Sequence, residues 1–282
     1  MTDIPSKLDL LLTNTPSLPT IPQVAQEVIH SLDDEHTSTA SVAGLIAADQ
    51  VLSVKVLRVA NSAYYAAPRT ISTIPDAIAL LGFSSVRSLV ISASLATSFR
   101  GAITDALKPF WRYSLHTAVA ARYLAGKQKL DRELAFTVGL IHGIGRIVMH
   151  QSMLADLAPI DEAHGIFPSL ERMAAERTAF GFDYADVGHH LARRWNFPNI
   201  FCDAILGCAD PLGHDSSDPL HAVLFVACWL ARASEHALAG RDSEYFWPQA
   251  IGELAGVEGN DTLTAMPPLH MLSAGLDDLI SA

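Results

Sequence analysis

The sequence predicts an all-α protein, and three observations carry that prediction. Apolar residues recur at three- and four-residue spacing in nearly every segment between breaks, the pattern of a helix with one buried face. No stretch alternates apolar and polar residues over a strand's length, and no Asn-Gly or Asp-Gly turn joins two β-branched runs. Capping and stop residues punctuate the chain at helical lengths.

Thr20-Ile21-Pro22-Gln23 opens the first expected helix, with Thr20 as cap, Pro22 in the first turn and Gln23 completing a capping box, and the helix runs to about Leu32. Ser38 or Thr39 starts a second helix that ends near Asp49. That acid caps a third, read from Val51, Val54, Leu57 and Ala60. Asn61 to Pro68 breaks the pattern. Thr73-Ile74-Pro75-Asp76 repeats the first start signal, and Gly82 stops a short helix after Leu81. Ser84 is read as the cap of the next helix, whose apolar residues Val86, Leu89, Val90, Ala93 and Leu95 continue to about Phe99, so five helices precede the Gly101 region. Helical patterns follow over Pro109–Ala125, Asp131–Gln151, Leu170–Phe180, Tyr184–Trp195, Asn199–Cys208, Pro219–Leu238 and Tyr245–Leu254. A last apolar stretch, Pro268 to Ile280, carries Leu269, Leu272, Leu276 and Ile280, and either seals the core or makes an oligomer contact.

A chain of 282 residues with 50% hydrophobic and 17% charged residues can bury one large core or two modest ones sharing an interface. The expected division is an N-terminal helical half, 14–105, a second helical half, 106–240, and an extension, 241–282. A net charge of −11 repels a phosphate backbone, and with no dense basic cluster to offset it, direct nucleic-acid binding is disfavoured. The first twelve residues lack a basic region followed by a sustained apolar run, and no apolar run reaches membrane-spanning length, so a cytoplasmic protein away from the membrane is expected. Cys202, Cys208 and Cys228 form no Cys-x-x-Cys pair and are read as buried free thiols.

The segment Leu57-Arg58-Val59-Ala60-Asn61-Ser62-Ala63-Tyr64-Tyr65, followed by Pro68-Arg69, Ile71-Ser72 and Ala77-Ile78-Ala79-Leu80-Leu81-Gly82, resembles the signature of HDOD domains. Leu18-Pro19 with Ile21-Pro22 upstream, and Gly188 to Pro198 with its Leu-x-x-x-Trp-x-x-Pro ending, extend the resemblance over roughly 16–240. It implies a multi-helix fold similar to that of HD-type metal phosphohydrolases, in which a histidine, a His-Asp pair and a later aspartate hold divalent metal. It also implies a regulatory module of bacterial signalling that binds a protein partner and catalyses nothing.

Against that pattern His116 is kept, and His142-Gly143-Ile144-Gly145-Arg146 stands where the family of enzymes has His-Asp-x-Gly-Lys. The bridging aspartate is Gly143, and the later aspartate aligns with Cys228. Cys208 and Ala209 stand for a His-His pair, and Tyr184 for a further histidine. A carboxylate between two divalent ions neutralises charge and sets their separation, which glycine cannot do. No metal and no cofactor is therefore expected. Two readings of the remaining His116, His142, Arg146 and Cys228 stay open: core side chains satisfied by neighbours, or a relic site that recognises an anion such as a nucleotide phosphate. A degenerate phosphohydrolase, with His116, His142 and Cys228 as ligands, is the alternative function. Arg146, four residues after His142, is placed on the same helical face. His189 and His190 are adjacent on a helix, point about 100° apart and cannot readily chelate one ion.

The loop carrying Asn61, Tyr64, Tyr65 and Arg69 is the candidate partner surface, since aromatic bodies with polar tips and an arginine recur at interfaces. The structural reading is open beside it: Asn61 ends the helix, and the tyrosines pack between the halves. A groove between the two halves, lined by the relic residues, is a second candidate. Tyr245, Phe246 and Trp247 in the extension are expected to dock back on the body.

Overall fold

The computed structural model describes residues 7–14, 20–32, 38–99, 107–213, 218–238, 247–257, 265–276 and 279, which form helices and turns with no strand. Leu18, Pro19, the Gly101 region, Tyr245, Phe246 and Ile280 lie outside the described residues. The first half holds α1 (Lys7–Asn14), α2 (Gln23–His30), α3 (Thr39–Ala48), α4 (Gln50–Ala60), α5 (Ile74–Leu81) and α6 (Phe83–Ser98). The second holds α7 (Lys108–Lys127), α8 (Arg132–Ile141), α9 (Ile144–His164), α10 (Leu170–Phe180), α11 (Tyr184–Arg194), α12 (Asn199–Gly207) and α13 (Pro219–Leu238). Two short helices follow, α14 (Gln249–Leu254) and α15 (Leu269–Leu272).

Local capping chemistry sets several of the starts. Ser38, Asp49 and Thr73 accept from the backbone N–H groups of Ser41, Leu52 and Asp76, and Asp131 accepts from Glu133 and Leu134, so each helix begins with an otherwise unpaired donor satisfied. Two expected caps do not form. Pro22, not Thr20, is the N-cap of α2, and the side-chain amide that returns to the helix start is Gln26, donating to the Ile21 carbonyl. Gly82, at φ 87°, caps α6 in place of Ser84. The first half also has one helix more than expected, α1, which packs on α11 and receives an Arg194 hydrogen bond at the Leu12 carbonyl, 2.9 Å.

The expected single helix from Asp131 to Gln151 is two helices. The chain turns at His142-Gly143, and α9 then runs on to His164 through a non-helical residue, Met153 (φ −144°, ψ 39°), and an internal proline, Pro159. The turn at Gly143 brings its α-carbon so close to Phe110 that a Cβ would stand 2.5 Å from the ring. His142 and Arg146 therefore sit on different helices and share no face.

α6 joins the halves, packing on α2, α4 and α5 on one side and α8 on the other, while α7 lies between α8 and α13. Val86, Leu89, Val90, Ala93, Leu115, Ala118 and Val138 belong to one continuous buried core that spans both halves. No single described helix is long and apolar enough to cross a membrane; α3 and α4 would qualify only together, and they meet at a bend of 112°.

Candidate functional site

α7 carries Tyr113 and His116 one turn apart, so both look toward α8 and α13. His142, the C-cap of α8, is buried, with Nδ1 2.7 Å from the Gly139 carbonyl and Nε2 3.1 Å from the Tyr113 hydroxyl. Cys228 on α13 faces the same point and touches His142, Tyr113 and the Cys208 thiol. Burial opposes charge on both His142 and Cys228. The Cys208 hydrogen bond and then the His142 imidazole nevertheless bring the Cys228 thiol down from its ordinary value, and Cys228 brings the imidazole up. Tyr184 closes the cluster, its phenol pushed well up by burial. Of the positions set against the enzymes' ligands, His142, Tyr184, Cys208 and Cys228 meet in one buried core, which Tyr113 joins and His116 does not.

His116 turns elsewhere. Its Nδ1 is 3.6 Å from Glu235 Oε1, and Glu235, buried near the end of α13, is gripped by Arg112 through Nε at 2.7 Å and Nη2 at 2.5 Å. Sequence reading missed this acid. The available signal was its spacing of two helical turns from Cys228 on the same face. Glu235→Gln is expected to cost about 1–2 kcal/mol, because a hydrogen bond to a charged group becomes one to a neutral amide while half-exposed Arg112 turns to water. Urea titration measures it, and an unchanged midpoint would show the pair to be energetically idle.

Arg146, also buried, makes a two-point contact with Asp161, Nη2 lying 2.6 and 2.7 Å from the two carboxylate oxygens. Arg172 reaches the same carboxylate at 2.7 Å, bonds Glu176 at 2.7 Å and donates to the Gly165 carbonyl. Glu176 in turn accepts from the Tyr184 N–H at 2.9 Å. This four-member cluster ties the end of α9 to α10 and to the start of α11, and it engages Arg146 through Nη2, while its Nε and Nη1 are buried without a hydrogen-bond partner.

A cleft of about 730 Å³ opens among the start of α7, the α9–α10 connection and the end of α13, with Arg112, Asp161, His164, Phe167, Glu235 and His236 on its walls. It lies within the second half. A groove between the halves, about 170 Å³, is walled by Ser88, Arg87, Glu133, Thr137 and Phe201, and none of His116, His142, Arg146 or Cys228 lines it. Among the described residues no group of three or more His, Cys, Asp or Glu side chains is placed to hold a metal ion. The donor set explains why: His116 and His142 point to separate partners, and neither has a carboxylate shared with the other. The residues do not fit a divalent-metal centre. His189 and His190 bond the Cys202 and Asp186 carbonyls, 3.0 and 2.9 Å.

In the 61–69 loop, Asn61 clamps both ends. Its amide donates to the Leu57 and Ile71 carbonyls at 2.8 and 2.7 Å, and its oxygen accepts from the Ile71 N–H at 2.7 Å. Tyr64 and Tyr65 stack edge to face at 4.9 Å beneath Arg122, which donates to the Tyr64 hydroxyl at 2.6 Å and to Glu133 at 2.6 Å. Arg69 is 56% exposed and pairs with Asp76 at 2.9 Å, holding that carboxyl below its usual range. Trp247 packs edge to face on Trp229, 5.3 Å between centroids.

Comparison with family profiles matches residues 18–211 to the HDOD domain. A crystal structure from Shewanella amazonensis, provisionally named a phosphohydrolase, is 26% identical with a TM-score of 0.72, over 96% of this chain and 98% of that one. An HDOD domain protein of unknown function from Geobacter sulfurreducens is 23% identical with a TM-score of 0.69, over 97% and 91%. A protein from Marinobacter aquaeolei provisionally named for signal transduction is 22% identical with a TM-score of 0.71, and the match spans 95% of this chain and 60% of that longer one. No curated protein matches the chain significantly.

Proposed function

The chain belongs to the HDOD domain family, and from that premise we propose that it is a non-catalytic, cytoplasmic regulatory module of bacterial signalling that acts by binding a protein partner. The observation that carries this reading is the fate of the ligand positions. Gly143 supplies no side chain, Cys228 is buried against His142 and the Cys208 thiol, and His116 faces an acid already neutralised by Arg112. A hydrolase built on this plan needs a bridging carboxylate to hold two ions and to orient water.

The 61–69 loop is the partner surface in this reading, with Arg69 and the backbone around Pro68 presented to solvent, Asn61 clamping the loop's ends and half-buried Tyr64 and Tyr65 supporting it. A small anionic ligand, if one biases the module, enters the cleft beside Arg112, whose guanidinium is half exposed there. Protein expressed with iron and manganese supplements is expected to carry metal far below one ion per chain. Partner capture is expected to weaken on Arg69→Ala and to persist on Tyr64→Phe, which keeps the stack. A ratio of one or two ions per chain together with phosphodiesterase turnover would overturn the non-catalytic reading.

A further inference from the structure

Residues 265–276 and 279 lie beyond the family match, and they settle on the surface that carries the family signature. Tyr123 on α7 donates its hydroxyl to the Ala265 carbonyl at 3.2 Å, α15 packs along α7, and Leu269, Leu276 and Leu279 are buried. Gly275, at φ 84°, makes the closest approach: a Cβ there would stand 2.7 Å from Ser62 Cβ and 3.3 Å from the Ala63 nitrogen. Met271 and Leu272 roof a cavity of about 260 Å³ whose other walls include Ala63, Tyr64, Arg122 and Arg132. The tyrosine–arginine stack of the signature loop is thus partly covered by the chain's own C-terminal segment.

The geometry points to a docking site occupied in cis: residues 265–276, with Leu279, act as an internal ligand of the signature surface. The partner they hold off is a protein segment of the same chemistry, a proline-led helical turn presenting leucine and methionine as Pro267-Pro268-Leu269-His270-Met271-Leu272 does. This inference rests on the reading of the 61–69 loop as the partner surface. Its support is the uneven attachment of the segment. A few leucines anchor it, while Met271 is 62% exposed and Pro267, Pro268, His270 and Ala274 face solvent, the profile of an element that opens locally before the body does. A tethered occupant also sets a threshold, since a free segment must compete against a high effective concentration.

The test uses full chains. Gly275→Val places a β-branched residue at positive φ against Ser62, and Leu276→Asp places a charge at a buried position; either unseats the segment without touching the stack. A labelled peptide of residues 265–282, followed by fluorescence anisotropy, is expected to bind both variants at least tenfold more tightly than the wild-type chain, with circular dichroism and the main unfolding transition retained. Adding Ala63→Asp to Gly275→Val is expected to abolish that binding. Hydrogen exchange on the same proteins reports whether residues 265–276 have opened. Peptide affinity no greater for the opened variants than for wild type overturns the proposal. So does exchange as slow as that of α7 in wild type and both variants, since the segment is then a fixed part of the core. Arg69→Ala tests the surface separately: if it impairs partner capture while the peptide fails to bind, cis occupancy falls and the surface stands.

Discussion

Replacing Arg172 with methionine is expected to lower stability by about 3–5 kcal/mol, the cost of leaving buried charge without its partner, and to lower the melting midpoint by on the order of 10 °C. The Arg172 side chain is fully buried and bonds Glu176 at 2.7 Å, Asp161 at 2.7 Å and the Gly165 carbonyl. Methionine fills similar volume but offers none of these donors. Asp161, with 20% of its side chain exposed, keeps Arg146 and some water. Glu176, fully buried, keeps only the Tyr184 N–H. Burial already pushes the Glu176 carboxyl up even with Arg172 beside it, and without that cation it rises further. A raised folded-state value means that the folded chain holds a proton the unfolded chain has released. Stability then falls as pH rises from the unfolded carboxylate value, about 4.3, through the folded one. The deficit of Arg172→Met is therefore larger at neutral than at mildly acid pH. Arg172→Met with Glu176→Met is expected to recover part of the loss, because removing both partners leaves no unpaired charge. Urea titrations of the single and double variants at both pH values decide it. A single-variant loss under about 1 kcal/mol with no pH dependence would show that water screens the cluster.

What the sequence discloses and what it hides divide along the range of the interactions. Ser38, Asp49, Thr73 and Asp131 are readable as caps because a cap bonds an N–H two or three residues away, and the same locality places α5, α10, α11 and α13 within a residue or two of their expected bounds. The Thr20–Gln23 capping box fails because Pro22 takes the cap position itself. The single helix expected over Asp131–Gln151 is broken at His142-Gly143, and α9 continues past Gln151 to His164 because the backbone kinks at Met153 and then resumes as helix. At the site, His116 and Cys228 lie within expected helices, while His142, expected inside a helix, stands at the turn that ends α8. Their partners come from far along the chain: Glu235 for His116, Tyr113 for His142, Asp161 for Arg146, Arg122 for Tyr64. Pairings of that range leave no trace in local periodicity. Glu235 is the exception, carried on the Cys228 face of its own helix.

Gly145→Ala is expected to cost about 3 kcal/mol or more, at the upper end of overpacking effects, although alanine is the better helix former. A Cβ at Gly145 would stand 2.0 Å from the Tyr184 carbonyl oxygen and 2.5 Å from the Gly188 nitrogen, so the obstacle is the backbone of α11 and no rotamer relieves it. α9 and α11 must separate, and α11 is also the helix whose first N–H the Glu176 carboxylate holds. Gly143→Ala is expected to cost less, because its obstacle is the Phe110 ring at 2.5 Å, a side chain able to turn. Gly126→Ala serves as the control: only the flexible Arg132 side chain lies near, at 3.1 Å, and the helix gains propensity. The expected order of stability, read from urea midpoints, is Gly126→Ala at or above wild type, then Gly143→Ala, then Gly145→Ala. Gly145→Ala as stable as wild type would mean that α9 and α11 do not touch at Gly145. The same geometry bears on ancestry and mechanism. Restoring the motif's aspartate by Gly143→Asp would drive a carboxylate into the space of Phe110, with Glu235 and His116 already engaged, so it is expected to destabilise the fold without conferring metal binding.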